Sequence, residues 1–195
     1  AFLMETPHLH WSTSGAARSA SSGVLTDPSP RLEQHFKSMG GPARLVINAT
    51  PGQKLNLYNV ARQVRALLAA LEARYSRYRV DSIVSVINQR AGSGVFTELD
   101  PETEALLGLA GRLWDASEGL FDITSGPLRH AWDFRADGSA DPTQIESALS
   151  LVGWENIEWR ESGLRLPTPG MEIDLGGLAK EYAADGAISL MRNLK

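Results

Sequence analysis

The chain has 195 residues, is 43% hydrophobic and 22% charged, and carries a formal net charge of -4. This is the composition of a globular protein long enough for one substantial core or for a portion of a larger domain, with no electrostatic reason to expect nucleic acid or a membrane surface as partner. The absence of cysteine excludes disulfides, thiolate metal sites, cysteine nucleophiles and a lipid-bearing cysteine anchor, and leaves the compartment open. No apolar run reaches the roughly 20 residues that cross a bilayer. Ala1 opens no basic-then-apolar export signal.

In chain order, residues 1–33 are rich in Ser, Ala, Pro and Gly without a sustained period and are expected to form a poorly ordered lead-in. His8 and His10 lack a third ligand and read as solvated tail residues more readily than as a metal site. Residues 36–42 form a glycine-marked turn, and Leu45, Ile47 and Ala49 alternate with Arg44 and Asn48, which predicts a strand over 43–49 closed by Pro51 and Gly52. Leu57, Val60, Val64, Leu67, Leu68, Leu71 and Tyr75 then fall at helical spacing behind Asn56 as N-cap. The basic and aromatic run 74–79 has two readings. It is a helix end whose arginines complement the dipole, or a ring, Tyr78, presented beside cations to stack a heterocycle and hold a phosphate.

Asp81 and Ser82 can cap a short helix carrying Ile83, Val84 and Ile87, followed by a loop over 88–94 and a short strand over 95–97. Asp100 and Pro101 supply an N-cap and an N1 proline for a helix with Leu106, Leu109, Ala110, Leu113 and Trp114 inward, and Gly119 suits its C-cap. Residues 117–128 mix bulky apolar side chains with Asp122, Thr124, Gly126 and Pro127, the pattern of a loop held at a fixed shape. Trp132 and Phe134 either line a pocket or belong to the core. Asp141 and Pro142 open a further helix with Ile145, Ala148 and Leu149 inward. Ile157 and Trp159 face Leu164 and Leu166 in a hairpin.

The stretch 171–188 concentrates unusual demands. Met171, Ile173 and Leu175 alternate around Asp174, the chain breaks at Gly176 and Gly177, and Leu178, Tyr182 and Ile188 follow with helical spacing, which predicts a strand, a tight turn and a helix running to about residue 194. One reading is a closely packed connection. The other is an anion site, in which a helix N-terminus and glycine backbone meet an anion and Lys180 adds a full charge. Helices interspersed with at least one hairpin favour an α+β fold over a doubly wound parallel sheet. There is no G-x-G-x-x-G, no G-x-x-x-x-G-K-[ST] and no G-x-S-x-G, which speaks against Rossmann, P-loop and serine-hydrolase chemistry. His35 and His130 show no acid partner in the sequence.

Four motifs then become specific together: F-K-S-M-G, S-R-Y-R-V-D-S-I-V-S-V-I-N, S-E-G-L-F-D-I-T-S-G-P-L followed by A-W-D-F, and I-D-L-G-G-L-A-K-E-Y-A-A-D. In this order they resemble the ApbE family, the FAD:protein FMN transferases, over residues 34–195. The resemblance implies an α+β, T-fold-related mixed sheet with flanking helices. It also implies that Met39, Tyr78, Leu120, Phe121, Asp122, Asp174 and Lys180 line an FAD site and that Gly177 supplies a ligand to magnesium. Family members transfer FMN from FAD to a threonine or serine of an acceptor flavoprotein subunit of a redox complex, and are often periplasmic and membrane-anchored.

Gly41 stands where a threonine often follows Met-Gly, and Glu181 replaces a glycine beside the phosphate cradle. The family's C-terminal half, with the Asp and Thr or Ser side chains of the magnesium site, is not matched before Lys195, so the fold is expected to be incomplete there. Gly177 alone is not a magnesium site. The alternatives are a truncated FAD-binding or scaffold module without transferase activity, and a different phosphate-ligand enzyme using the same glycine turn.

Overall fold

The computed structural model describes residues 29–50, 56–132 and 141–193. The expectations for most of the lead-in (with His8 and His10), for Pro51 and Gly52, and for Phe134 lie outside the described residues.

Two strands, β1 (Arg31–Ser38) and β2 (Gly41–Asn48), pair antiparallel over their full length with Ser38 opposite Gly41. The turn is therefore only Met39 and Gly40, tighter than the expected 36–42, and β1 begins inside the expected lead-in. Both turn residues have positive φ, 50° and 78°, the backbone that matches the right-handed twist of a two-residue hairpin. Helix α1 (Leu57–Tyr75) starts at Asn56, whose side chain accepts from the Asn59 N–H. Helix α2 (Ile83–Gln89) starts at Ser82 in the same way. Strand β3 (Thr97–Glu98) precedes α3 (Pro101–Ala116), capped by Asp100, and α4 (Pro142–Leu149) is capped by Asp141. Each cap satisfies N–H groups that the first helical turn leaves unpaired. Between α3 and α4, residues Gly126–Ala131 form a 3-10 turn. Strands β4 (Glu158–Arg160) and β5 (Gly163–Arg165) form the expected hairpin, and β5 also pairs with β3. Helix α5 (Ala179–Asn193) closes the described chain.

The principal core gathers Leu71, Tyr75, Val84, Ile87, Leu106, Leu107, Ile123, Leu164, Leu166, Met171, Ile173 and Leu175. A second cluster joins Leu45 and Ile47 of β2 to Val60, Ala61 and Val64 of α1 and Ala187 of α5. Helices α1 and α5 thus contribute to both clusters, and the β1–β2 hairpin packs on α1.

Several expectations are revised by the structure. Residues 171–175 do not form a ladder strand: the one β-type contact is an isolated parallel bridge between Ser125 and Glu172. The inward face of α5 is small, Ala179, Ala183 and Ala187, while Ile188 is 43% exposed. Leu149 is half exposed rather than inward. His35 and His130 do meet acids, Glu33 at 3.1 Å and Glu172 at 3.2 Å. The α3 C-cap is Ser117, and Gly119, at φ 81°, donates its N–H to Trp114 O at 2.9 Å just beyond it. Trp132, at 37% exposure, is not a core residue.

Candidate functional site

The segment bearing Asp174 is held by side chains where a sheet would have used backbone. Asn88, at the end of α2, accepts from the Ile173 N–H at 2.8 Å and donates to the Ile173 carbonyl at 3.0 Å. The next N–H, that of Asp174, donates to Ile123 O at 2.7 Å. With Ile173 and Leu175 buried on one side, the intervening Asp174 is turned toward the cleft between the end of α1 and the start of α5.

Asp174 is paired twice. Its Oδ1 accepts the Gly176 N–H at 2.8 Å, so the first glycine of the turn serves the acid. Its Oδ2 accepts from the Arg77 guanidinium, which also donates to Tyr78 Oη at 2.6 Å and lies 4.8 Å from the Tyr78 ring centre. Burial works against the Arg77 charge, and the Tyr78 hydroxyl and Asp174 carboxylate more than offset it, raising the guanidinium above its ordinary value. Tyr78 is otherwise 80% exposed.

Around these groups lies an open cleft of about 1040 Å³, lined in part by Met39, Gly40, Tyr78, Asp174, Gly177 and Lys180. Met39 reaches it from the hairpin tip while also touching the principal core. Lys180, exposed in the first turn of α5, makes no ion pair among the described residues. Arg79, by contrast, is paired with Asp81 at 2.9 Å. Lys180 is thus the cation left for an anion, at a helix N-terminus where the dipole has the same sign.

The residues of the 117–128 loop behave differently. Leu120 is 93% exposed, and neither it nor Phe121 nor Asp122 lines the cleft. Phe121 borders it: a Cβ on Gly177 would lie 3.5 Å from Phe121 Cε2. The Asp122 carboxylate is filled by its own chain, accepting from Thr124 N and Oγ1 at 2.7 Å each and from Trp154 N at 3.0 Å. Gly126 is required for this loop to approach the Asp174 segment, since a Cβ there would meet Glu172 O at 2.7 Å. Two residues of the site, Arg77 and Asn88, are absent from the sequence-derived set. Arg77 was signalled by its place in the basic run 74–79, whereas nothing local marks Asn88.

For a magnesium ion at Gly177, the described residues do not supply a donor set. The nearby carboxylate, Asp174, is engaged by Arg77 and Gly176, and no group of three or more His, Asp or Glu able to hold a metal occurs among the described residues. Mg²⁺ ordinarily needs one or two carboxylates as well as phosphate oxygens.

Known proteins similar to this chain in sequence and in fold are flavin transferases. Curated FAD:protein FMN transferases from Chlamydia pneumoniae (29% identity, covering 65% of this chain and 41% of the relative) and Rhodobacter capsulatus (26%, covering 83% and 31%) are similar in sequence. The chain thus spans about 40% or less of the length of these relatives. The solved flavin transferase ApbE from Vibrio cholerae superposes with a TM-score of 0.76 at 23% identity, over 86% of this chain and 55% of that one. The ApbE protein of Thermotoga maritima gives 0.74 at 26%, over 83% and 52%. The model of the ApbE family matches residues 39–195, from the hairpin tip through α5, and the chain belongs to the ApbE family.

Proposed function

We propose that this chain is the FAD-facing portion of an FAD:protein FMN transferase. The observation that carries the reading is the convergence of Met39, Tyr78, Asp174 and Lys180, from three distant parts of the sequence, on one cleft. Tyr78 offers an exposed ring to a heterocycle, Asp174 an acceptor, and Lys180 with the glycine turn a place for the diphosphate. In the transfer, an acceptor threonine or serine oxygen forms a bond to the FMN phosphorus, the phosphoanhydride P–O bond breaks, AMP leaves, and the hydroxyl proton passes to solvent or a base. The acceptor is a flavoprotein subunit of a redox complex. The protein's part is to position the diphosphate and screen its charge. Magnesium is required by this reading. The described residues do not form its site.

The test is incubation of the 195-residue chain with FAD, with and without Mg²⁺, and a threonine-bearing acceptor, reading FAD affinity by fluorescence and covalent flavin on a denaturing gel. FAD binding is the expected result for this chain, and magnesium-dependent labelling the expected result once the metal donors that the described residues lack are supplied. Binding without labelling favours a second reading, an FAD-binding module, which the lack of a metal donor set among the described residues supports. No binding overturns both.

A further inference from the structure

Arg77 is the point through which the cleft's groups are connected. One terminal nitrogen of its guanidinium serves Asp174, which lies 97 positions away, and the other serves its neighbour Tyr78. The side chain is 29% exposed and Asp174 19%, so the pair sits at the cleft wall rather than in open solvent. The Arg77 backbone is itself tied down, its carbonyl accepting from Ser85 Oγ at 3.4 Å on α2. Tyr78, by contrast, is held by little else. Its N–H donates to Ser76 Oγ at 3.2 Å, and its ring is mostly in solvent. A ring with two side-chain torsions and no packing would sample several rotamers; a hydrogen bond at its tip and a cation beside its ring select one.

Resting on the flavin-transferase reading, we propose that Arg77 is the positioning residue of the nucleotide cleft: its planar fork fixes the Tyr78 ring for stacking and holds the Asp174 carboxylate at the same time. The two nitrogens are used for two different partners, which a lysine's point charge cannot reproduce. Arg77 touches no reacting atom in this scheme. Its charge is neutralised by Asp174, so the phosphates are left to Lys180.

The test is a set of FAD titrations on the 195-residue chain: wild type, Arg77→Ala, Arg77→Lys, Tyr78→Ala and the Arg77→Ala/Tyr78→Ala double variant, with melting temperatures alongside. Arg77→Ala is expected to weaken FAD at least tenfold, and Arg77→Lys, which keeps charge and fold, to recover only part of it. The double variant is expected to lose less than the product of the two single losses, because Arg77 acts partly through Tyr78. An Arg77→Ala affinity within twofold of wild type, full recovery by lysine, or losses that multiply would each overturn the proposal. A wild-type chain that binds no FAD would instead sink the flavin reading, and Arg77 is then judged without ligand. Its side-chain N–H signals in ¹⁵N NMR should be protected from exchange in the wild type and lose protection in Asp174→Asn. Signals that do not change in that variant would show that the pair does not order Arg77.

Discussion

Asn88 and Ile173, 85 positions apart, exchange two hydrogen bonds in which a side-chain amide takes the place of a neighbouring strand: 2.8 Å from the Ile173 N–H and 3.0 Å to its carbonyl. Asn88→Ala leaves the backbone N–H and carbonyl of buried Ile173 without these partners. The expected cost is about 2 kcal/mol of stability, with a loss of FAD affinity through displacement of Asp174. Asn88→Asp keeps the acceptor and removes the donor, so it should not restore the wild type. Urea denaturation and FAD titration check both. Wild-type stability in Asn88→Ala would show that the segment is held by Ile123 O and burial alone.

Met39 occupies φ 50° at the hairpin tip, a conformation that costs a residue with a Cβ roughly 1–2 kcal/mol and that Asn or Gly adopts more readily. Met39→Asn is therefore expected to leave the melting temperature unchanged or higher while lowering FAD affinity, since the side chain that reaches the cleft is lost. If stability falls instead, the packing of Met39 on the principal core outweighs the backbone strain.

Asp122 has its carboxylate occupied by three donors of its own loop and of the Trp154 backbone. Asp122→Ala should destabilise the fold by about 2–4 kcal/mol. Any loss of FAD affinity should then follow the loss of folded protein. Wild-type stability with impaired binding would restore Asp122 as a ligand-contacting residue.

Lys180 makes no ion pair among the described residues, and its partner is expected to be the diphosphate. Lys180→Ala should weaken FAD by about tenfold, the scale of one charge-assisted contact, and leave riboflavin, which has no phosphate, unaffected. Equal losses for the two ligands would place Lys180 outside the phosphate subsite.

Glu33 on β1 accepts from Arg44 and His35, and these hydrogen bonds lower its carboxyl from 4.5 to about 2. Because the folded value lies below the unfolded one, the stabilisation is complete above pH 4.5 and disappears as pH falls toward 2. Amide exchange in β1 and β2 should accelerate across that window in the wild type and show a smaller pH response in Glu33→Gln. An identical response in both would assign the acid sensitivity to other groups.

Elements specified by neighbours in the chain were legible. Asn56, Ser82, Asp100 and Asp141 cap the helices expected of them, because a cap and the N–H groups it serves are two or three residues apart. His35 and Glu33, two apart on one strand face, could have been paired once β1 was recognised. The alternation of Met171, Ile173 and Leu175 marks a buried side and predicts a strand, but burial pattern alone does not distinguish a strand partner from an asparagine side chain. On α5 the buried alanines carried no hydrophobic signal comparable to Ile188, which is exposed because close packing against α1 favours small side chains.

The sequence by itself determined the helices α1 to α4 with their caps, the hairpin β4–β5, and, through its motifs, the family, and it singled out Met39, Tyr78, Asp174, Gly177 and Lys180, which line the cleft. Tertiary structure alone decided what those residues touch: that Arg77 joins Tyr78 to Asp174, that Gly176 serves the acid, that Asp122 faces its own loop, and that Lys180 lines the cleft without an ion pair among the described residues. The physical reason is distance along the chain. A cap or an amphipathic face is encoded within a few residues, whereas the direction of a carboxylate depends on partners 85 or 97 positions away, which meet only when the core has closed around them.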